Sequence, residues 1–325
     1  MSTIASLAHL AIPATTPLLL ACLGGIISER TGVLNLGIEG LMAVGALTAI
    51  IVAITFESLL LATIAAVFVS AIGSVIFSFL TISLKADQIV SGVMIALFGV
   101  AFANFIGNDW SGQTIETFSQ VTIPIVGQYL VSIPIIGKLL FFNTVIDYLA
   151  IILALISWYV IFRTKIGLKI TAVGNNAKAA DTEGIDPIKV RYLAVLASGI
   201  FAGLAGAALS LSFTGYWTAD LVDSRGWIAV ALIIVSRWDP LKAIVGSFIF
   251  GFIYSIQFGL QGTNIGNLPL SESLSSVYSV LLNPIIISTY PFVVTILVLI
   301  LFNIGTRTEL IAPQELANTY IREGE

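Results

Sequence analysis

The chain has 325 residues, of which 58% are hydrophobic and 10% are charged, and its mean hydropathy is +1.04. Roughly a quarter of the residues of an ordinary soluble domain are charged, so this composition excludes a water-soluble enzyme and indicates a chain embedded in a bilayer. One cysteine, Cys22, and one histidine, His9, exclude a disulfide framework and a metal centre built from cysteine or histidine. The net charge of −4 gives no indication of a nucleic-acid partner.

Apolar stretches recur along the whole chain, and they predict an all-α polytopic membrane protein with about nine transmembrane helices, within a range of about eight to ten. Residues 1–27 lack the basic start and the cleavage site of a secretory signal, so we expect them to form a retained first span. The further stretches are Leu36–Phe56, Leu59–Leu84, Ile89–Ile106, Val145–Phe162, Tyr192–Phe213, Trp227–Ser236, Ala243–Leu260 and Pro284–Phe302. Because Trp227–Ser236 is so short, we expect it to be a broken or re-entrant element.

The basic residues predict the orientation, because cytoplasmic loops carry an excess of Lys and Arg. With strict alternation of the spans, all of the 14 basic residues except Lys138 and Arg225 lie on the face that carries Arg163–Arg191. We therefore expect an extracellular N-terminus and a cytoplasmic C-terminus. Residues 1–325 would form a single transmembrane domain, with an extracellular loop at 107–144 that contains a strand pair or an interfacial helix. A cytoplasmic segment at 163–191 and a cytoplasmic tail at 303–325 complete the arrangement.

The segment 163–191 has the pattern of a short capped helix between two membrane helices. Asn175 or Asn176 is a suitable cap for a helix over Ala177–Glu183, and Gly184 is suited to the left-handed residue that ends it. Asp186 then caps the next helix, with Pro187 at its first position. Small side chains on such a helix would let another protein approach its backbone closely. The alternative is a capped surface loop without a partner.

Three motifs carry a resemblance to a known family. Ala172–Ala208 resembles the coupling-helix region of ABC-transporter permeases of the ribose and branched-chain amino acid group. Glu29–Gly40, with the sequence ERTGVLNLGIEG, is similar to the second-helix signature of the nucleoside-type permeases within that group. Arg225–Leu232, followed by Arg237–Pro240, matches a third segment of the family. The resemblance extends over nearly the whole chain apart from the outer loop and the tail.

The resemblance implies a permease subunit of a nucleoside importer in the bacterial plasma membrane, which is not itself an enzyme. It implies a second homologous permease in a heterodimer, an ATPase subunit that uses ATP and Mg²⁺, and an extracellular substrate-binding lipoprotein, with no cofactor on this chain. The coupling residues would be Gly174, Asn175, Asn176, Ala179, Ala180, Glu183 and Gly184. The sequence agrees on one independent point, since its only Gly-Lys pair, Gly137-Lys138, is not part of a phosphate-binding loop.

Glu39 is the one carboxylate set well within an apolar stretch, between Gly37 and Gly40. Ionisable groups inside a membrane are costly and are candidates for function. One interpretation is that Asn35 and Glu39 line the solute path and bond sugar hydroxyls or base edges. The other is that Glu39 pairs with a basic residue such as Arg30, about 13 Å away along a helix, and fixes the start of the second span.

Other polar or aromatic residues within the spans are candidates for contact with a polar solute. The candidates for the solute path, besides Asn35 and Glu39, are Gln88, Ser91, Asn104, Trp227 and Gln257. Asn283 is a further polar residue, and Phe98, Phe102 and Tyr254 are further aromatic residues of this kind. For each aromatic residue the alternative is contact with lipid or with another helix.

Two further features have both a structural and a functional interpretation. Gly199 and Gly203 have the spacing of a close-packing helix face. Charged residues expected outside are Asp109, Glu116, Asp220, Asp223 and Arg225, and they would either dock a binding protein or be solvated loop charges.

Three rivals to a nucleoside importer remain at this point. An ABC permease for ribose or another small polar solute would share the same scaffold. An ion-coupled secondary transporter usually contains several intramembrane ionisable groups, whereas Glu39 is nearly alone. A membrane-embedded enzyme would need clustered His, Asp or Glu, and the sequence contains no such cluster.

Overall fold

The computed structural model describes residues 2–121, 143–261, 283–287, 289–303 and 312–321. Its α-helices are α1 Ser2–Glu29, α2 Ile38–Phe56, α3 Leu59–Ser78, α4 Gln88–Gly107, α5 Val145–Arg163, α6 Lys165–Asn175, α7 Ala177–Thr182, α8 Pro187–Ala208, α9 Arg225–Val235, α10 Pro240–Gln261, α11 Pro284–Ile287 and α12 Tyr290–Asn303. Two π-helical turns, Phe79–Ser83 and Leu209–Thr214, continue α3 and α8, and a 3-10 turn, Asn108–Trp110, continues α4.

Six helices in the described part of the chain are long and apolar enough to cross a membrane. They are Ala11–Glu29, Ile38–Phe56, Leu59–Ser83, Gln88–Trp110, Val145–Arg163 and Pro187–Thr214. Arg225–Val235 and Pro240–Ile256 are shorter apolar helices. The chain is therefore a mostly helical protein with several candidate spans, and the total of nine and the orientation of the termini stay predictions.

Helix α9 corresponds to the apolar stretch that we expect to be broken or re-entrant. It has 11 residues, which at 1.5 Å per residue make about 16 Å, roughly half of the hydrocarbon thickness of a bilayer. Its N-cap Ser224 has a left-handed backbone, and its side chain makes no capping hydrogen bond. The amino-terminal amides of α9 therefore need acceptors from elsewhere in the molecule.

Helix α1 lies at the centre of the core. Leu18, Cys22, Leu23 and Ile26 on this helix are fully buried. The helix packs against α8 and α10 along its length and also contacts α9 and α5. By contrast, α3 and α4 present large apolar side chains on the outside of the chain, including Phe68 and Phe105. Such an exposed apolar surface is suited to lipid or to another membrane subunit.

Glycines bring the helices around α1 into backbone contact. A Cβ on Gly203 of α8 would lie 2.7 Å from the carbonyl oxygen of Ala66 on α3, and a Cβ on Gly199 would meet Ser74 of the same helix. This contact confirms the close-packing face predicted from the spacing of the two glycines. Gly99 of α4 approaches α2 in the same way, since its Cβ would lie 2.6 Å from the backbone of Gly40.

The connections cluster at two ends of the helical bundle. At one end, called the basic end here, the carbonyl of Gly174 accepts the amide of Glu315, and Arg30 donates to the carbonyl of Trp238. The basic end thus combines the α1–α2 and α9–α10 connections, the segment 163–191 and the residues 312–321. Strict alternation of the spans requires these connections to share a face.

A small antiparallel strand pair forms part of the other end, called the opposite end here. Strand β1, Gln120–Val121, pairs with β2, Asn143–Thr144. Single bridges join Ser111 to Trp217 and Thr114 to Tyr216. A strand pair is one of the two structures expected for the segment 107–144, and it is the only exception to helix among the named elements of the described residues.

The α3–α8 contact can be tested with one methyl group. In Gly203→Ala the new Cβ would lie 2.7 Å from backbone atoms of both Ala66 and Val67, so the two helices must separate. We expect a loss of stability on the order of 1–3 kcal/mol. Gly246→Ala is the control, because its Cβ would meet only the end of the flexible Leu232 side chain, at 3.2 Å. Thermal unfolding of the purified protein in detergent measures both, and equal midpoints would contradict the contact.

Candidate functional site

The carboxylate of Glu39 binds the amino terminus of the short helix α9. Its two oxygens accept the backbone amides of Ser224 at 2.9 Å and of Gly226 at 2.6 Å. Glu39 belongs to the first turn of α2 and is only 6% exposed. The first amides of a helix have no partner within it, and the helix dipole favours a negative charge there. Glu39 therefore supplies to α9 the cap that Ser224 does not provide.

Gly226 makes this contact possible. A Cβ at this position would lie 2.6 Å from Oε2 of Glu39 and 2.6 Å from the Cα of the same residue. Any larger residue would separate α9 from α2 and lengthen both hydrogen bonds. The motif that contains Glu39 and the motif that contains Gly226 are therefore two halves of one contact.

Glu39 does not pair with Arg30, although this pairing is one of the two interpretations of the sequence. Residues 30–37 are not helical, so the estimate of a spacing along a helix does not apply to them. The Nε of Arg30 donates to the carbonyl of Trp238 at 2.8 Å, and its guanidinium lies 4.6 Å from the ring centroid of Phe162. Arg30 thus belongs to the basic end.

Asn35 holds the turn that leads into α2. Its Oδ1 accepts the amide of Gly37 at 3.0 Å, and its Nδ2 donates to Oγ of Ser198 on α8 at 3.2 Å. The side chain is fully buried. These contacts give Asn35 a structural part in positioning Glu39, two residues beyond that turn.

Asn104 holds the segment that precedes α9, residues 215–224. Its Nδ2 donates to Oδ1 of Asp220 at 2.7 Å, and its Oδ1 accepts the backbone amide of Asp220 at 2.9 Å. This reciprocal pair of bonds attaches the segment to α4. Besides the bridges at Tyr216 and Trp217, the segment 215–224 is therefore held by the side chains of Asn104 and Glu39.

A cavity of about 520 Å³ lies between these two side chains. Its lining combines carboxylates, an amide, a hydroxyl and two indoles with small apolar side chains. The polar and aromatic members are Glu39, Asn104, Trp217, Asp220, Asp223, Ser224 and Trp227. Three of the predicted path residues, Glu39, Asn104 and Trp227, thus come together at one cavity. Its volume is within the range usual for small-molecule sites.

Arg225 lies beside this cavity and is buried. Its guanidinium donates to the carbonyls of Leu221 and Val222 at 3.2 and 3.0 Å, and it lies 4.5 Å from the ring centroid of Tyr254. Only 3% of the residue is exposed. Its expected place among the solvated outer charges is therefore wrong, because it sits at the start of a helix in the interior. Asp109 and Glu116 are exposed, as expected.

The remaining path candidates lie elsewhere. Gln88 accepts the amide of Leu34 at 2.8 Å and donates to the carbonyl of Asn318 at 3.4 Å, which places it at the basic end. Ser91 is buried on α4, one turn further on. Gln257 lies in α10, but its side chain is outside the described residues.

The other aromatic and polar residues considered from the sequence are not part of the cavity lining, as far as the structure describes it. The rings of Phe98 and Phe102 stack at 5.7 Å on the exposed side of α4. Tyr254 is buried beneath Arg225. Asn283 precedes α11.

The segment 163–191 contains the expected short helix. Asn176 caps α7 by accepting the amide of Ala179 at 2.9 Å, and Gly184 follows with a φ of +81°. Asp186 then caps α8 by accepting the amide of Lys189 at 3.2 Å. Slight burial opposes the shift, but this bond and the Lys189 ammonium hold the pKa of Asp186 below its ordinary value. The capping prediction is confirmed, with Asn176 as the first cap.

The coupling residues differ in their exposure. Asn175, Asn176, Ala179, Glu183 and Gly184 are exposed, whereas Gly174 is buried against the backbone of the α1–α2 connection. Ala180 is also buried, in a cluster with Val173 and Ala177. A partner that docks on α7 would therefore meet Ala179 and not Ala180.

Comparison with known proteins supplies the family. Residues 10–302 match the family described as "Branched-chain amino acid transport system / permease component". A Haloferax volcanii protein, TsgC13, described provisionally as a glucose ABC transporter permease, is 42% identical over 99% of both chains. No solved structure matches the chain.

Two further relatives are bacterial. The guanosine ABC transporter permease protein NupQ of Bacillus subtilis is 35% identical over 89% of this chain and 90% of its own. The nucleoside ABC transporter permease protein NupC of Lactococcus lactis is 32% identical over 95% of this chain and 94% of its own. Proteins of this kind are transport subunits and not enzymes. The chain belongs to the permease component family and is a multi-pass membrane subunit of an ABC transporter of the sugar and nucleoside group.

Proposed function

We propose that this chain forms half of the translocation path of an ATP-driven nucleoside importer. A second permease forms the other half, since the relative NupQ has a counterpart, the guanosine permease NupP, which is also similar to this chain. A separate ATPase uses ATP and Mg²⁺, and an extracellular lipoprotein delivers the solute. The complex lies in the bacterial plasma membrane, with the basic end of this chain in the cytoplasm.

The cavity between Glu39 and Asn104 is the observation that carries the proposal. Ribose hydroxyls are donors, and the carboxylates of Asp220 and Asp223 accept such bonds. The indoles of Trp217 and Trp227 offer flat apolar surfaces beside these acceptors, as a nucleobase requires. The similarity to permeases for guanosine and nucleosides supports the same solute.

A hexose is the second candidate solute. The 42% identity to TsgC13 favours it, and the same carboxylates would accept hydrogen bonds from hexose hydroxyls. Both solutes would bind in this cavity and both would be imported at the expense of ATP, so only a transport measurement with each solute distinguishes them. An ion-coupled secondary transporter is no longer an alternative, because the relatives that share this family's similarity are ABC transporter permeases.

The exposed side of α7 is the proposed docking point of the ATPase. When ATP closes the ATPase dimer, α7 moves with it, and α8 begins only five residues after α7 ends. Helix α8 then runs through the core, where Ser198 and Ala202 are fully buried. Motion at α7 would therefore reach the helices that surround the cavity as a rigid-body displacement.

Uptake by the reconstituted transporter tests the solute. Liposomes that contain both permeases and the ATPase, with ATP on the ATPase side and the lipoprotein on the other, should accumulate labelled guanosine. A hundredfold excess of unlabelled glucose should not compete. Accumulation of glucose without guanosine would instead establish the hexose, and accumulation of neither in an active, ATP-hydrolysing complex would contradict both.

A charge on α7 tests the docking surface. Ala179→Glu should reduce ATP-dependent uptake by about tenfold or more, because an unpaired charge buried at an interface costs several kcal/mol. Membrane insertion should be unchanged, since Ala179 is exposed. Gln113→Glu places a charge at an exposed residue of the opposite end and is the control. Wild-type uptake in Ala179→Glu would rule out docking there.

Removing the charge of Glu39 tests its part in holding α9. In Glu39→Gln the NH2 group replaces one carboxylate oxygen and cannot accept, so one of the two hydrogen bonds is lost, at about 1.5–3 kcal/mol for a bond to a charged group. We expect a lower unfolding midpoint and a reduced amount of protein in the membrane. Glu57→Gln, at the exposed end of α2, is the control. Normal stability with an altered solute preference would show instead that Glu39 contacts the solute.

A further inference from the structure

Residues 312–321, called the strap here, cross the basic end and bond to separate parts of the chain. The amide of Glu315 donates to the carbonyl of Gly174 at 2.9 Å, near the end of α6 and three residues before α7 begins. The amide of Ala317 donates to the carbonyl of Gly32 at 3.1 Å, in the α1–α2 connection. The hydroxyl of Tyr320 donates to Oδ2 of Asp181 on α7 at 2.9 Å. The strap therefore joins α7 to the connection that leads towards Glu39.

Two glycines let the three layers of backbone approach one another. Gly32 has a φ of +90°, and a Cβ there would lie 2.7 Å from the carbonyl oxygen of Glu315. A Cβ on Gly174 would clash with the carbonyl oxygen of Arg30. The strap, the α1–α2 connection and the end of α6 are thus in direct backbone contact, which transmits displacement better than contact through flexible side chains.

Arg191 is the buried charge at the centre of this arrangement. Its Nε donates to the carbonyl of Thr31 at 3.1 Å, and its Nη1 donates to the carbonyl of Asn318 at 3.1 Å. The guanidinium lies 6.0 Å from the ring centroid of Tyr320, and the residue is only 2% exposed. A buried guanidinium is costly without acceptors. Arg191 therefore ties α8, the α1–α2 connection and the strap to one another.

We propose that the strap is a positioning element of the transport cycle, which carries motion of α7 to the α1–α2 connection and so to Glu39 and the cavity. The proposal rests on the proposed function, since it takes α7 as the site where the ATPase docks. Residues 30–37 run from the strap contact at Gly32 to Asn35, which holds the turn before α2. Motion at α7 then reaches the cavity by two routes, through α8 and through the strap.

The bond between Tyr320 and Asp181 allows a double-mutant cycle, which isolates the coupling between two groups. In reconstituted transporter we expect Tyr320→Phe and Asp181→Ala, each of which removes one partner of the bond, to reduce uptake by about twofold to tenfold, the equivalent of one hydrogen bond. The ATP hydrolysed per solute should rise, and the double variant should be no worse than the poorer single variant. Tyr159→Phe, an exposed tyrosine on α5, is the control.

Hydrogen exchange on the same complex measures the strap without reference to transport. The amides of Glu315 and Ala317 should be protected in the wild type and should exchange faster in Tyr320→Phe. Rapid exchange of both amides in the wild type would overturn the strap contacts. Faster exchange in Tyr320→Phe with unchanged uptake and unchanged ATP per solute would overturn the role in transport. A wild type with protected amides but no ATP-dependent uptake would contradict the proposed function instead.

Discussion

The bond between the Glu39 carboxylate and the first amides of α9 is the constraint on which the cavity depends. A helix of 11 residues that begins inside the bundle exposes amides that must find acceptors, because an unpaired amide in a membrane costs several kcal/mol. Glu39 meets two of them, and its charge is stabilised by the helix dipole. The cost of burying the carboxylate and the cost of leaving the first amides of α9 unpaired are therefore both reduced by the same two hydrogen bonds. The cavity lies beside the amino terminus of this short helix.

Close backbone contact fixes the helices around that cavity. Gly226 permits the approach of α9 to α2, and Gly40 and Gly99 permit the approach of α4 to α2. Asn104 of α4 then reaches Asp220, so that the segment before α9 is held from a second helix. A small shift of α2 relative to α4 would change both attachments together. The cavity is therefore fixed from two different helices, by Glu39 of α2 and by Asn104 of α4.

The sequence alone predicts much of this arrangement. The caps at Asn176 and Asp186, the close packing at Gly203 and the short length of α9 follow from rules that depend only on the local sequence. The sequence identifies Glu39 as a residue with an important role, because a carboxylate in an apolar stretch must have partners. Its actual partners are backbone amides of residues 224 and 226, and no side-chain pattern identifies them. A pattern of charged side chains therefore favours Arg30 as the partner of Glu39, although Arg30 lies at the basic end. The burial of Arg225 and the contacts of the strap are not predictable from the sequence for the same reason, since both depend on backbone carbonyl groups, which every residue has.

An experimental structure of the complete transporter with bound solute would show whether the solute binds in this cavity. We expect density for the solute in the cavity bounded by Glu39, Asn104 and Trp227. The amides of Ser224 and Gly226 should still be bonded to the Glu39 carboxylate in at least one state of the cycle. A solute bound away from these residues, together with an α9 whose first amides bond to some other group, would contradict both expectations.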